Sequence, residues 1–224
     1  MIRSLPKWVE FGSFLLALIA GTINAIGLLG FQHQSVSHLS GSATLLGAQV
    51  ASMNFASVAM LLAVLISFVI GSAISGAFLC GESFKVGRYY DTLLAAEGLL
   101  LLAACILLSI GMNFGLFLAS MACGLQNALA TRYSDAVVRT THVTGLFTDL
   151  GLMIGSHLRG EAFDSRKAKL FLFIITGFIS GGCLGALLFN QLQFLSLLVP
   201  VILCFSLAVV YRVYFKQKGN RLYL

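Results

Sequence analysis

The stretch SHLSGSAT occupies residues 37–44, and a related stretch, THVTGLFT, occupies residues 141–148. Both read as a hydroxyl residue, a histidine, an aliphatic residue, a second hydroxyl residue and a glycine, with a threonine three positions later. Each stretch lies between long apolar segments, where polar side chains are costly if the surroundings are lipid. A polar pattern that occurs twice in such surroundings indicates an internal duplication.

The composition is that of an integral membrane protein. Of the 224 residues, 58% are hydrophobic and 10% are charged, whereas soluble domains carry roughly 25% charged residues. Apolar runs recur along the whole chain, so we expect a single membrane domain over residues 1–224. The net charge of +6 comes from Lys and Arg in short loops and at the termini, which favours membrane orientation over nucleic-acid binding.

Six segments are long enough to cross a bilayer, since a spanning helix needs roughly 17 to 25 apolar residues. They are residues 11–31, 55–80, 93–110, 114–130, 170–189 and 194–213. Two shorter and more polar segments, residues 39–53 and 143–158, carry the repeated pattern at their N-terminal ends. The sequence therefore predicts an all-α protein with six transmembrane helices and two short helices.

Two further matches in the same order support the duplication. GTINA at residues 21–25 matches GLQNA at residues 124–128, and ISG at residues 74–76 matches ISG at residues 179–181. The two predicted repeats cover residues 8–110 and 112–216.

Loop charges predict that the two repeats have opposite orientations. Lys and Arg in short loops mark the cytoplasmic side of a membrane. They occur at both termini, at Lys85 and Arg88, and on both sides of the second short segment, but not beside the first. We therefore expect cytoplasmic termini and an inverted repeat in which residues 39–53 and 143–158 form re-entrant half-helices. The alternative is a parallel repeat in which both short segments cross.

The N-terminal ends of the half-helices are the predicted solute-binding site. Free amides and the positive end of the helix dipole attract anions, and paired half-helix ends form transport sites. We expect Ser37 and Thr141 to be N-caps. We also expect Ser40 with Thr44, and Thr144 with Thr148, to form i, i+4 hydroxyl pairs on one helical face. The candidate binding residues are Asn24, Ser37, His38, Ser40, Gly41, Thr44, Asn127, Arg139, Thr141, His142, Thr144, Gly145 and Thr148. Alternatively, the two histidines hold the broken helices together by hydrogen bonds, and Arg139 marks the cytoplasmic surface.

Two acidic residues within the predicted membrane segments, Glu97 and Asp149, are candidates for proton coupling. Asp149 lies on the same helical face as His142, and the competing interpretation pairs it with Arg159 or Arg132. Glu97 is near the start of its segment, which favours an interfacial position.

The favoured function is transport of a small solute, an anion or polar weak acid. The alternatives are a passive channel, a membrane-embedded enzyme and a non-transporting scaffold. No cofactor motif, metal-ligand cluster or activated nucleophile stands out, so we expect no cofactor, no metal and no enzymatic activity. The expected partners are the solute and the lipid bilayer, with a homo-oligomer as an open possibility.

The motifs GTINA, SHLSG, CGLQNA and THVTG resemble those of the YoaK-like family of bacterial inner-membrane proteins, a family of unknown function. The resemblance covers nearly the whole chain. It implies a multi-pass protein of the bacterial plasma membrane and implies no activity.

Overall fold

The structure, a computed structural model, describes residues 7–30, 37–79, 89–133 and 139–220. These residues form α-helices and one 3₁₀ helix, and no β-strand occurs among them. The helices are α1 (Lys7–Gly30), α2 (Leu39–Ala51), α3 (Phe55–Phe78), α4 (Tyr90–Ser109), α5 (Phe114–Tyr133), α6 (Val143–Leu158), α7 (Ser165–Leu192), the 3₁₀ helix (Gln193–Leu197) and α8 (Leu198–Asn220). The predicted all-α class is confirmed for this part of the chain.

Five stretches of the described residues are long and apolar enough to cross a membrane. They are Glu10–Gly30, Phe55–Phe78, Tyr90–Ser109, Phe114–Arg132 and Ser165–Val213, the last of which contains α7, the 3₁₀ helix and α8. The short helices α2 and α6 have 13 and 16 residues. At about 1.5 Å per residue, neither reaches across a hydrocarbon core of roughly 30 Å.

The most extensive contact joins the first long helix to one near the end of the chain: α1 packs along α7. Phe14 of α1 faces Gly177 of α7, and Thr22 faces Gly185. The residue numbers rise together, so the two helices run parallel. The Thr22 hydroxyl donates to the Gly181 carbonyl at 3.1 Å, which fixes the helices at close range.

The next most extensive contact, between α3 and α5, is also held by hydroxyl groups that donate to backbone carbonyls. The Ser120 hydroxyl donates to the Val64 carbonyl at 2.9 Å, and the Ser72 hydroxyl donates to the Gly124 carbonyl at 3.0 Å. Here too the helices run parallel, with hydroxyl groups bonded to the neighbouring backbone.

Glycines bring both helix pairs together at equivalent places. A Cβ on Gly181 would overlap the backbone of Leu18, and a Cβ on Gly71 would overlap the backbone of Met121. Leu18 and Met121 each lie three residues before the matched stretches 21–25 and 124–128, so the packing equivalent of Gly181 is Gly71. The sequence match of residues 74–76 with 179–181 is therefore wrong in register, and a Cβ on Gly76 would meet open space.

The helices α3 and α7 also begin in the same way. The Asn54 side chain caps α3 by accepting a hydrogen bond from the Ser57 amide, and the Asp164 side chain caps α7 by accepting one from the Lys167 amide. Such caps satisfy first-turn amides that have no partner within the helix. The caps agree with the register set by the glycines.

The helix α4 packs against α5 on one side and α8 on the other. The α4–α5 pair is an antiparallel hairpin, in which Gly115 lies against Leu108. The α4–α8 pair is also antiparallel, since Tyr90 contacts Tyr211 with ring centroids 4.4 Å apart and Gly98 lies against Phe205. This arrangement buries the face of α4 that carries Glu97 and Leu101, while Leu99 on the other face is exposed.

Candidate functional site

The helix α2 begins beside the middle of the bundle. The Ser37 hydroxyl donates to Oδ1 of Asn24 on α1 at 2.8 Å. The imidazole of His38 packs edge-on against Phe178, near the centre of α7, with ring centroids 5.7 Å apart. Burial lowers the pKa of the His38 imidazole below its usual value. The structure thus brings together the predicted residues Asn24, Ser37 and His38.

The approach to α6 is tethered in the same manner to α5. The Thr140 hydroxyl donates to Oε1 of Gln126 at 3.2 Å, and both residues are fully buried. Sequence reasoning missed this pair, although Gln126 is next to Asn127 in the CGLQNA motif. An amide in an otherwise apolar helix was the signal that could have found it.

The predicted N-caps are wrong. The N-cap positions belong to His38 and His142, and neither imidazole caps its helix. The His38 carbonyl accepts from the Ser42 amide at 3.3 Å, and the His142 carbonyl accepts from the Leu146 amide at 3.2 Å. The Ser37 hydroxyl instead donates to Asn24 on α1.

Several predicted binding residues are exposed, on α2 and α6 or just before α6. The exposed ones are Ser40, Gly41, Thr44, Arg139, His142, Thr144 and Thr148. The Thr44 hydroxyl donates to the Ser40 carbonyl at 2.9 Å, and the Thr148 hydroxyl donates to the Thr144 carbonyl at 3.0 Å. Each threonine thus lies on the same face as the hydroxyl residue four positions earlier, and its hydroxyl bonds to the carbonyl of that residue.

Gly41 in α2 and Gly145 in α6 differ in their surroundings. A Cβ on Gly145 would overlap the imidazole of His142, so this glycine lets the ring fold over the first turn of α6. A Cβ on Gly41 would meet open space, so the close approach predicted there is absent. Thr141, just before α6, is buried.

Three polar atoms in and beside this region are buried without a hydrogen-bond partner among the described residues. They are Oγ of Ser75, Nε2 of Gln126 and Oδ1 of Asn127. Buried polar atoms in native proteins nearly always have a partner, either protein or a bound molecule. A donor on Gln126 and an acceptor on Asn127, adjacent on α5, form a pair to which a polar solute could bind.

The structure places the two acidic candidates, Glu97 and Asp149, in different surroundings from those expected. Glu97 is fully buried rather than interfacial, because α4 begins at Tyr90 and packs between two helices. Asp149 is only half-buried. The predicted ion pairs of Asp149 are wrong: Arg159 pairs with Glu161 at 3.5 Å, and Arg132 donates to the Leu79 carbonyl at 3.3 Å.

The described residues contain no group of three or more His, Cys, Asp or Glu side chains placed to hold a metal ion. The fold and the polar groups inside it define an all-helical, multi-pass integral membrane protein. The chain belongs to the family described as protein of unknown function (DUF1275), whose model matches residues 12–210.

A curated relative is the UPF0700 transmembrane protein YoaK of Bacillus subtilis (strain 168). It is 25% identical over 212 residues, which cover 86% of this chain and 89% of the relative. The resemblance to the YoaK-like family is thereby confirmed. No solved structure matches the chain significantly.

Proposed function

We propose that the protein transports a small polar solute, an anion or polar weak acid, through a site near the bilayer midplane where α2 and α6 begin. The observation that carries the proposal is the unpartnered pair on α5, Nε2 of Gln126 and Oδ1 of Asn127. A carboxylic acid offers an acceptor and a donor that match these two atoms. The half-helix amides add positive potential for the anionic form.

The proposal includes an inverted repeat with six crossings. One apolar cleft is lined by Leu15 near the start of α1, Leu94 near the start of α4 and Val210 in the second half of α8. Since α1 and α4 both begin close to this cleft, they run parallel, and α8, which is antiparallel to α4, is antiparallel to α1. Because α4 is antiparallel to α5, α1 and α5 run in opposite directions. Because α7 is parallel to α1 and α3 is parallel to α5, α3 and α7 also oppose each other. The helices of each matched pair, α1 with α5, α3 with α7 and α4 with α8, therefore run in opposite directions. This supports an inverted repeat.

The proposal also makes α2 and α6 re-entrant half-helices. The helix α2 begins level with the centre of α7 and ends just before Asn54, where α3 starts. The helix α6 follows Thr140, which bonds to α5 near its centre, and ends just before α7. Since α3 and α7 start at opposite faces, each short helix covers one half of the membrane. Buried backbone breaks of this kind are tolerated only inside protein or along a wet path.

We assign the face at which α1 and α7 begin to the cytoplasm of a bacterial cell, with the protein in its plasma membrane. Glu10 at this face lies 3.7 Å from Arg166 and 3.3 Å from Lys169. Basic residues concentrated at one face mark the cytoplasmic side. The termini, at Arg3 and Arg221, carry basic residues and are assigned to the same side.

Thiol accessibility tests the architecture. In a background without native cysteines, Ser52→Cys follows α2 and Ala162→Cys follows α6, and both positions are exposed. We expect an impermeant thiol reagent on intact cells to label Ser52→Cys but not Ala162→Cys. Equal labelling of the two variants would exclude the inverted repeat.

Uptake into proteoliposomes tests the transport itself. The probes are radiolabelled lactate, acetate and nitrate, each compared with liposomes that lack the protein. We expect uptake of at least one probe, and a two- to tenfold weaker uptake in Asn127→Ala, roughly the loss of one hydrogen bond. Asn190→Ala, an exposed amide on α7, is the matched control and should transport normally. No uptake of any probe, or equal uptake by both variants, would reject the proposed site.

A further inference from the structure

The carboxyl of Glu97 is the most unusual buried group in the described structure. Glu97 is fully buried in α4, and neither carboxyl oxygen has a hydrogen-bond partner among the described residues. The Cys204 thiol on α8 lies near this carboxyl without the geometry of a hydrogen bond, and Cys123 on α5 belongs to the same buried cluster as Cys204. Gly98, the next residue, lets the Phe205 ring close over this part of the helix.

Charged groups on the packed helices lie far from this carboxyl along the helix axes. Asp91 lies at the start of α4, Arg132 near the end of α5 and Arg212 in the second half of α8. Among the described residues, none of the three forms an ion pair with Glu97. From Asp91 to Glu97 the chain rises about 9 Å along α4. The remaining titratable neighbours are thiols, which carry no compensating positive charge. An ionised carboxylate in such surroundings is far more costly than one that has bound a proton.

The carboxyl lies close to the depth of the proposed solute site. Cys123, its neighbour on α5, precedes Gln126 by less than one helical turn, about 4.5 Å along the axis. Gln126 holds Thr140 at the approach to α6. A proton on Glu97 of α4 and a solute on Gln126 and Asn127 of α5 would therefore lie on two neighbouring helices at similar depth.

We infer that Glu97 binds and releases the proton that moves with the solute. This inference rests on the proposed transport function and names its coupling ion. Glu97 accepts a proton from water when the site is open to one side, and returns it to water when the site is open to the other. The protonated, uncharged carboxyl is the form that can stay inside the closed bundle. Asp149, half-buried on α6, does not have this enclosure.

The first measurement is infrared spectroscopy of the purified, full-length protein at neutral pH. We expect a carbonyl stretching band of a protonated carboxyl, sensitive to deuterium exchange, in the wild type and in Asp91→Asn. The band should be lost in Glu97→Gln. A wild type without the band, or a Glu97→Gln variant that keeps it, overturns the inference, and this readout needs no transport. Should Glu97→Gln fail to fold, Glu97→Asp replaces it, and a band that does not shift in that variant overturns the inference equally.

The second measurement separates coupling from solute movement. In proteoliposomes, Glu97→Gln should lose proton-driven accumulation of the transported probe at least tenfold and retain exchange of the same probe at equal concentrations on both sides. Accumulation at the wild-type level overturns the coupling. If the wild type transports none of the probes while the band is present, the transport proposal and the coupling fail together, and only proton binding at Glu97 stands.

Discussion

Gly71 occupies against α5 the position that Gly181 occupies against α1: each lets a neighbouring backbone approach where a side chain would collide. We expect Gly181→Ala and Gly71→Ala each to destabilise the fold by about 1–3 kcal/mol, because a methyl group must push apart two tightly packed helices. The midpoint of thermal unfolding in detergent measures the change.

Each glycine has a control on its own helix. A Cβ at Gly182 or Gly76 would meet nothing within contact distance, so Gly182→Ala and Gly76→Ala should leave the midpoint nearly unchanged. If Gly76→Ala lowered the unfolding midpoint more than Gly71→Ala, the alignment of residues 74–76 with 179–181 would be the correct one.

Two hydrogen bonds, here called tethers, connect the residues just before α2 and α6 to α1 and α5. Ser37→Ala and Thr140→Val each remove one hydroxyl donor, to Asn24 and Gln126 respectively. We expect each variant to lose about 1 kcal/mol, typical of one hydrogen bond, and to show faster amide exchange at the first turn of α2 or α6. Thr44→Val, whose hydroxyl bonds only within its own helix, is the comparison. Unchanged exchange in both tether variants would contradict the anchoring role.

The side-chain caps of α3 and α7 are the most direct test of how these helices begin. Asn54→Ala and Asp164→Ala should each cost about 0.5–2 kcal/mol, because a first-turn amide loses its acceptor. Glu161→Ala removes an exposed ion pair close to the second cap and should cost almost nothing. The thermal unfolding midpoints of the three variants measure these costs. Equal losses of stability in all three would argue against specific capping.

His38 predicts a pH dependence. Since burial lowers the pKa of the folded imidazole below its unfolded value of about 6.5, the neutral ring is favoured in the folded protein. Its contribution to stability is present above that unfolded value and is lost as the pH falls through the folded pKa. His38→Phe retains a ring against Phe178 and cannot be protonated. We expect the variant to lose less stability than the wild type on acidification. Thermal unfolding midpoints that fall equally with pH in both proteins would refute this.

The sequence predicts the helices well because their apolar length and polar interruptions are local properties. The segment 143–158 coincides with α6, and α2 ends only two residues short of its predicted end. Partners of polar groups depend on which helices become neighbours. The Ser37 hydroxyl could not be assigned to Asn24, nor Thr140 to Gln126, without knowing that each short helix starts beside the middle of a long one.

The alignment of α3 with α7 and the burial of Glu97 could not be predicted, for similar reasons. Small residues recur along α3 at Gly71, Ser75 and Gly76, so several alignments with α7 satisfy the sequence, and only the contacts of Gly71 decide. Glu97 was assigned to an interface from its place in an apolar run. Its burial follows from α8, which covers α4 from more than a hundred residues further along the chain.

The pairing of α1 with α7 has a consequence for biosynthesis. During translation α1 emerges first and must wait in the membrane until nearly the whole chain has been made before its main partner appears. The Thr22 hydroxyl is suited to this delay, because it also bonds to the Leu18 carbonyl of its own turn at 2.8 Å and so is not left unsatisfied in lipid. The first four helices alone would lack the surface that buries α1.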